Sequence, residues 1–112
     1  MRLQELEAFD SVPFLLWAKD EHGYHLYGNK AICDLAGENV IGKRDNDLIW
    51  SKDAEELQAH DRKVLESGKT EYLHEYVQKS RHGNATLNVC KWAGELDGKR
   101  CCFGISFIIG ND

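Results

Sequence analysis

The run Cys101-Cys102-Phe103-Gly104-Ile105-Ser106-Phe107-Ile108-Ile109 holds no charged residue and is apolar or small at odd and even positions alike. Successive side chains of a strand point to opposite faces, so a strand of this composition has no face suited to water and needs cover on both. It belongs in the middle of a sheet, since at an edge it would template pairing with other chains. The chain of 112 residues can supply one hydrophobic core and not two, which excludes a multidomain enzyme within these residues. The cover must come from the rest of the chain or from a second copy.

The other segments supply that cover. Leu3, Leu6 and Phe9 recur at helical spacing before the break at Ser11-Val12-Pro13 and predict a short amphipathic helix. Phe14 to Ala18 and Tyr24 to Tyr27 flank Lys19-Asp20-Glu21-His22-Gly23 and predict a β-hairpin. Asn29 suits the N-cap of a helix through Ala36, with Gly37 placed to end it. From Glu38 to Ser51 the period is lost, and short helical turns over the core are expected. Ala54, Leu57, Val64 and Leu65 share one face of a longer helix from Asp53 to Ser67, stopped by Gly68. Three β-rich runs follow, Thr70 to Lys79, Ala85 to Ala93 and Arg100 to Ile109, joined by Arg81-His82-Gly83-Asn84 and Glu95-Leu96-Asp97-Gly98. Hairpin, helices and three-strand meander together predict an α+β domain, a five-stranded antiparallel sheet with helices on one face. With the apolar last strand central, the expected strand order is 2-1-5-4-3.

Charge and cysteine usage exclude several functions. Fourteen Lys and Arg against 19 Asp and Glu give a net charge of −5, and the basic residues are scattered where a nucleic-acid reader needs a basic stripe. No nucleic-acid contact is expected. No apolar run approaches the roughly 20 residues of a membrane span, and Met1-Arg2-Leu3-Gln4-Glu5-Leu6-Glu7 alternates charge with Leu instead of forming a signal peptide. The expected location is the cytoplasm, without membrane contact. Cys33, Cys90, Cys101 and Cys102 lack the CxxC spacing of zinc or redox motifs and read as reduced core or strand residues. No nucleophile with a neighbouring base and no Gly-rich phosphate loop is present, so no enzyme activity is expected.

In their order and spacing the local motifs resemble the PAS domain, a sensory module of histidine kinases and transcription regulators. The resemblance rests on Pro13 after the first helix, Asp20 and Gly23 closing a strand, Asn29-Lys30-Ala31 opening a helix, and Leu35-Ala36-Gly37 followed by Ile41-Gly42-Lys43. It continues through Asp45-Asn46-Asp47-Leu48, the Asp61, Val64, Leu65 and Gly68 pattern of the long helix, then Lys91, Gly98 and Gly104-Ile105-Ser106. It divides the chain into an N-terminal helix over 1–12 and a PAS-like domain over 13–109. It implies a non-catalytic sensory module of a longer signalling protein, with a small-molecule ligand, an effector domain and a homodimer among its partners. The Asn-Cys-Arg-Phe-Leu-Gln run of the flavin-binding photochemical branch is absent around every cysteine, which sets a light-driven flavin adduct aside and leaves the cofactor unassigned.

Within that frame the pocket is expected between the long helix and the central strands, lined by Leu16, Ala18, Ile32, Ile49, Leu57, Val64, Gly104 and Ser106, with Asp61 as a polar anchor. Gly104 and Ser106 are small in adjacent inward positions of a bulky strand, which leaves volume beside the sheet. With Leu57 at zero and about 100° per residue, Asp61 falls near +40°, Val64 near −20° and His60 near −60°. Asp61 therefore lies at the centre of the apolar face, where a carboxylate must be paired or hydrogen-bonded, and His60 on its flank. Haem-binding relatives place an axial histidine on the equivalent helix, so a haem sensor through His60 is one alternative, and a ligand-free dimerisation module another. His22, His25, His74 and His82 read as solvated turn histidines. The stripe of Leu3, Leu6 and Phe9 is too narrow to bury itself, which favours a homodimer through this helix and the outer face of the sheet, against a helix folded back over its own sheet.

Overall fold

A computed structural model describes residues 1–78 and 83–111. β1 (Leu15–Asp20) and β2 (His25–Gly28) form the hairpin. Its turn is built by Asp20, whose carboxylate accepts from the backbone N–H groups of His22 and Tyr24, both at 2.9 Å. α2 (Lys30–Ala36) starts at Asn29, whose Oδ1 accepts from Ile32 N, and ends at Gly37 in the left-handed conformation. Asn29 is wholly buried and fully used: Oδ1 also accepts from Leu16 N, and Nδ2 donates to the carbonyls of Phe9 and Phe14. One side chain thereby fixes β1, α2 and the N-terminal segment to each other. Two 3₁₀ turns, Asp45–Asp47 and Ser51–Asp53, lead into α3 (Ala54–Ser67), which Gly68 closes at φ +69°.

β3 (Glu71–Gln78), β4 (Asn84–Leu96) and β5 (Lys99–Asn111) complete one antiparallel sheet in the order β2-β1-β5-β4-β3. The order is the expected one, with β5 at the centre. Leu96 pairs with Lys99 across Asp97-Gly98, and both turn residues have positive φ. This is the two-residue turn whose twist matches the strands it joins, and it lets β4 and β5 run past the limits expected from sequence. The expected turn at 81–84 falls largely on residues 79–82, outside the described residues.

Helices α2 and α3 cover one face of the sheet, where Leu15, Trp17, Val89, Leu57 and Trp50 belong to the larger core. The other face carries a second cluster, in which Leu6 packs on Leu16, Ala18, Tyr27, Leu96, Cys101 and Phe103. Leu6 belongs to α1 (Leu3–Leu6), which tightens into a 3₁₀ turn over Glu7–Phe9. The N-terminal amine donates to Glu95 O, Leu3 N to the Asp97 carboxylate, and Asp97 N to Met1 O. α1 thus lies over its own sheet. Of the apolar stripe Leu3, Leu6 and Phe9 only Leu6 is buried, while Leu3 and Phe9 stay 38% and 40% exposed. Beyond it Tyr72, Tyr76, Phe107 and Ile109 remain open on the sheet. Among the described residues no helix is long and apolar enough to cross a membrane.

Candidate functional site

Strand register decides which side chains face the helices. Trp17 stands opposite Gly104, Leu15 opposite Ser106 and Lys19 opposite Cys102, so Leu15, Trp17 and Lys19 of β1 share the inner face. Leu16 and Ala18 point the other way and belong to the outer cluster with Leu6. Their expected place in the pocket is therefore corrected: in the continuous apolar run Phe14 to Ala18 both faces are buried, and hydropathy gives no phase. Ile32 and Leu57 do line a small inner cavity of about 20 Å³ together with Trp17, Trp50, Val77 and Leu87. That space is about one water molecule. Ile49 packs half-buried against the same core, and Val64 lies deeper on α3 against Leu65 and Cys102.

The polar side of this cavity, at Lys19, Asp45 and Glu75, belongs to a chain of buried charges. Trp50 Nε1 donates to Asp45 at 2.9 Å, Lys19 Nζ bridges Asp45 at 2.7 Å and Asp61 at 2.8 Å, and Lys91 Nζ bridges Asp61 at 2.7 Å and Glu75 at 2.5 Å. His60 Nδ1 lies 2.8 Å from the other end of the chain at Glu75. Lys91 is fully buried, and Lys19, Asp45, Asp61 and Glu75 nearly so. Burial opposes the ionisation of Lys19, yet its ammonium is held well above the usual lysine range because Asp61 and Asp45 outweigh that penalty. Asp61 is held below the usual carboxylate range by Lys19 and Lys91 against the same opposition, and Asp45 is lowered by Lys19 and His25. The Cys102 thiol is pushed up to about 12 by burial and by Asp61 beside it. The chain joins β1, the 3₁₀ turn at Asp45, α3, β4 and β3, so it clamps the helical layer to the sheet.

Asp61 is buried and paired, as its helical phase requires, and His60 is partly exposed. The partners of Asp61 are two lysines, Lys19 and Lys91. His22 and His74 are exposed, but His25 is buried at 2% exposure, with Nδ1 2.7 Å from Lys43 O. Its reading as a solvated turn histidine is corrected: it sits in β2 paired to Lys19, inside the layer. His82 lies outside the described residues. Lys19, Asp45, Glu75 and Lys91 were missed as site residues. A signal existed, because Lys19 keeps the parity of Leu15 and Trp17, and Lys91 that of Leu87 and Val89, which places both ammonium groups on an inward face.

Among the described residues, two further groups on this face are buried without a hydrogen-bond partner, Trp17 Nε1 and Ser106 Oγ. They flank Gly104, where an added Cβ would stand 2.2 Å from the Trp17 indole. Gly104 thus lets the indole lie flat on β5, and the expected pocket volume beside Gly104 and Ser106 is corrected: the Trp17 ring takes the space at Gly104, and neither residue lines the inner cavity. Gly104→Ala should force the ring off its seat and cost about 1–3 kcal/mol of stability, read by urea unfolding with Trp fluorescence. An unchanged midpoint would show that the indole has free space to move into.

A family model described as PAS fold matches residues 9–93, well over half the chain. No curated protein matches the sequence. Among solved structures, the Vibrio cholerae VqmA dimer superposes with a TM-score of 0.83 at 18% identity, covering 99% of this chain and 54% of VqmA. VqmA bound to DPO gives 0.83 at 19% identity, with 97% and 58% covered. The PAS domain of an HTR-like protein from Haloarcula marismortui gives 0.74 at 20% identity, with 95% and 90% covered. The chain thus spans little more than half of VqmA and nearly all of the archaeal domain. At these identities the likeness is one of fold.

Proposed function

Because the chain belongs to the PAS-fold family, we propose that it is a non-catalytic sensory domain of a longer signalling protein that takes a small molecule into the cavity between helices and sheet. The observation that carries this reading is a small cavity on the inner face, edged by Trp17 and Trp50, one of whose lining residues, Trp17, keeps a buried N–H without a hydrogen-bond partner. Leaving such a group unpaired costs about 1–3 kcal/mol, and a ligand or bound water removes that cost. The cavity is too small for an organic molecule as it stands, so entry requires Trp50 and Leu57 to move outward. Occupancy then shifts the population of helix positions, and the buried charge chain carries the change to β3, β4 and β1.

VqmA has been solved bound to DPO, which makes DPO the first probe. The expected result is a saturable change of Trp fluorescence on titration, or an excess mass in native mass spectrometry of the protein as purified. If neither DPO nor any co-purified molecule is found, the ligand-free dimerisation reading replaces this one. Haem sensing has less support than either, since His60 is already engaged by Glu75; a Soret band in the purified protein would restore it. VqmA has also been solved with DNA, but the acid excess of this chain supports no nucleic-acid contact for this domain.

The outer face supports a homodimer. Phe9, Tyr72, Tyr76, Phe107 and Ile109 are exposed there, and Phe14 packs against Phe107 with ring centroids 5.5 Å apart. Two copies pressed along this patch would bury apolar area worth about 25 cal/mol per Å² before the cost of association. Sedimentation should show a dimer that Phe107→Glu converts to monomer. A monomer for the intact chain at high concentration would dismiss the dimer.

A further inference from the structure

On the far side of α3 from Glu75 and His60, a groove of about 460 Å³ runs between the β1–β2 turn and the helix, with Asp61 on its floor. Two of its residues are arginines, Arg44 and Arg62. Among the described residues neither guanidinium makes a salt bridge or a hydrogen bond, although the chain carries 19 carboxylates. Arg44 is nevertheless fixed. Its backbone is tied to Asp47, its guanidinium carbon lies 5.6 Å from the centre of the Tyr24 ring, and Gly23 leaves room beside Nε. Its Nε is buried without a partner, an unmet donor in a position already ordered.

The carboxylates that share the groove are occupied. Asp20 accepts from the two backbone N–H groups of its own turn, Asp61 faces Lys19 and Lys91, and Glu21 lies 3.9 Å from Arg100. What the groove offers to a visitor is therefore guanidinium N–H on two sides, from the turn and from α3. A planar fork of donors fits a carboxylate or a phosphate, and the volume lies in the range of small-molecule sites. We propose that this groove binds a small organic anion, its carboxylate or phosphate group held between Arg44 and Arg62. The site is separate from the inner cavity and stands whether or not that cavity takes a ligand. Asp61 lines the groove and pairs with Lys19, which lines the inner cavity, so an anion here acts directly on the residue that joins Lys19 to Lys91.

The test is calorimetric titration of the intact chain with inorganic phosphate and, separately, with succinate, against sodium chloride at matched ionic strength. Saturable heat with either anion is expected, weakened about tenfold or more by Arg62→Gln and unaffected by Lys30→Gln on α2. Arg62 is exposed, so its variant keeps the fold; Arg44→Gln, checked by circular dichroism, should weaken binding likewise. Binding of phosphate alone or succinate alone supports the site and fixes its anion class. Heat that matches the chloride control, or binding that Arg62→Gln leaves intact, overturns the proposal.

Discussion

Lys91→Met should lower the unfolding free energy by about 3–5 kcal/mol, the usual cost of removing one partner from a buried ion pair. The methionine fills the space of the lysine stem, so packing is nearly kept and the loss is electrostatic. Without Lys91 the carboxylates of Asp61 and Glu75 face each other across a dry gap, Asp61 retaining Lys19 and Glu75 only His60. Adding Glu75→Gln to Lys91→Met should recover part of the loss, since the two residues are in contact and their effects are not additive. Urea unfolding with an unchanged slope measures both. A loss below about 1 kcal/mol for Lys91→Met would mean that water reaches the site on mutation, and the clamp role of the charge chain would be lost.

The second large effect is acid sensitivity through His25. Burial, reinforced by the nearby positive charge of Lys19, pushes His25 from 6.5 down to about 4. Between those values the unfolded chain binds a proton that the folded domain refuses. Stability therefore rises with pH across this window and falls on acidification, by about 3 kcal/mol from pH 6.5 to pH 4. Asp61 and Asp45 act in a lower window. Their depressed values add stability that is present above the ordinary carboxylate range and is lost as the pH drops below it. His25→Asn keeps a donor for Lys43 O but cannot take up the proton, so it should flatten the upper limb and leave the lower one. Chemical denaturation at stepped pH separates the two limbs; an upper limb that survives in His25→Asn would assign it to another group.

The elements were legible because their signals are local. Gly37 and Gly68 stop their helices, Asn29 caps, Asp97-Gly98 turns, and the apolar run of β5 required the central position that it takes. The site was legible only in part. Ile32 and Leu57 line the inner cavity and Asp61 is buried as its helical phase requires, whereas Gly104 and Ser106, chosen for their small size, do not line it, because the Trp17 indole takes the space beside Gly104. Leu16 and Ala18 went to the wrong face because nothing in β1 alternates until Lys19, and Lys19 itself reads as part of a polar turn. The buried charges escaped for a different reason. Each looks like an ordinary surface residue until its partner is known, and the partners come from segments as distant as Lys19 and Asp61 or Asp61 and Lys91. An acid at the centre of an apolar helix face announces that a cation is needed, but only tertiary packing says which.

The tight Asp97-Gly98 turn also bears on the order in which the chain organises itself. β4 and β5 are each thirteen residues long and joined by the shortest hairpin loop in common use, so their pairing needs little loop closure, whereas β1 must find β5 across most of the sequence. Hairpins of this kind form within microseconds, and contacts close in sequence lead when topology sets the rate. The β4–β5 ribbon is thus the natural nucleus, with high φ-values expected on either side of Asp97 and low ones in β1 and β2. The N-terminal segment docks on that same turn through Met1 and Leu3, so the first residues of the chain find their place only after the last strand has formed.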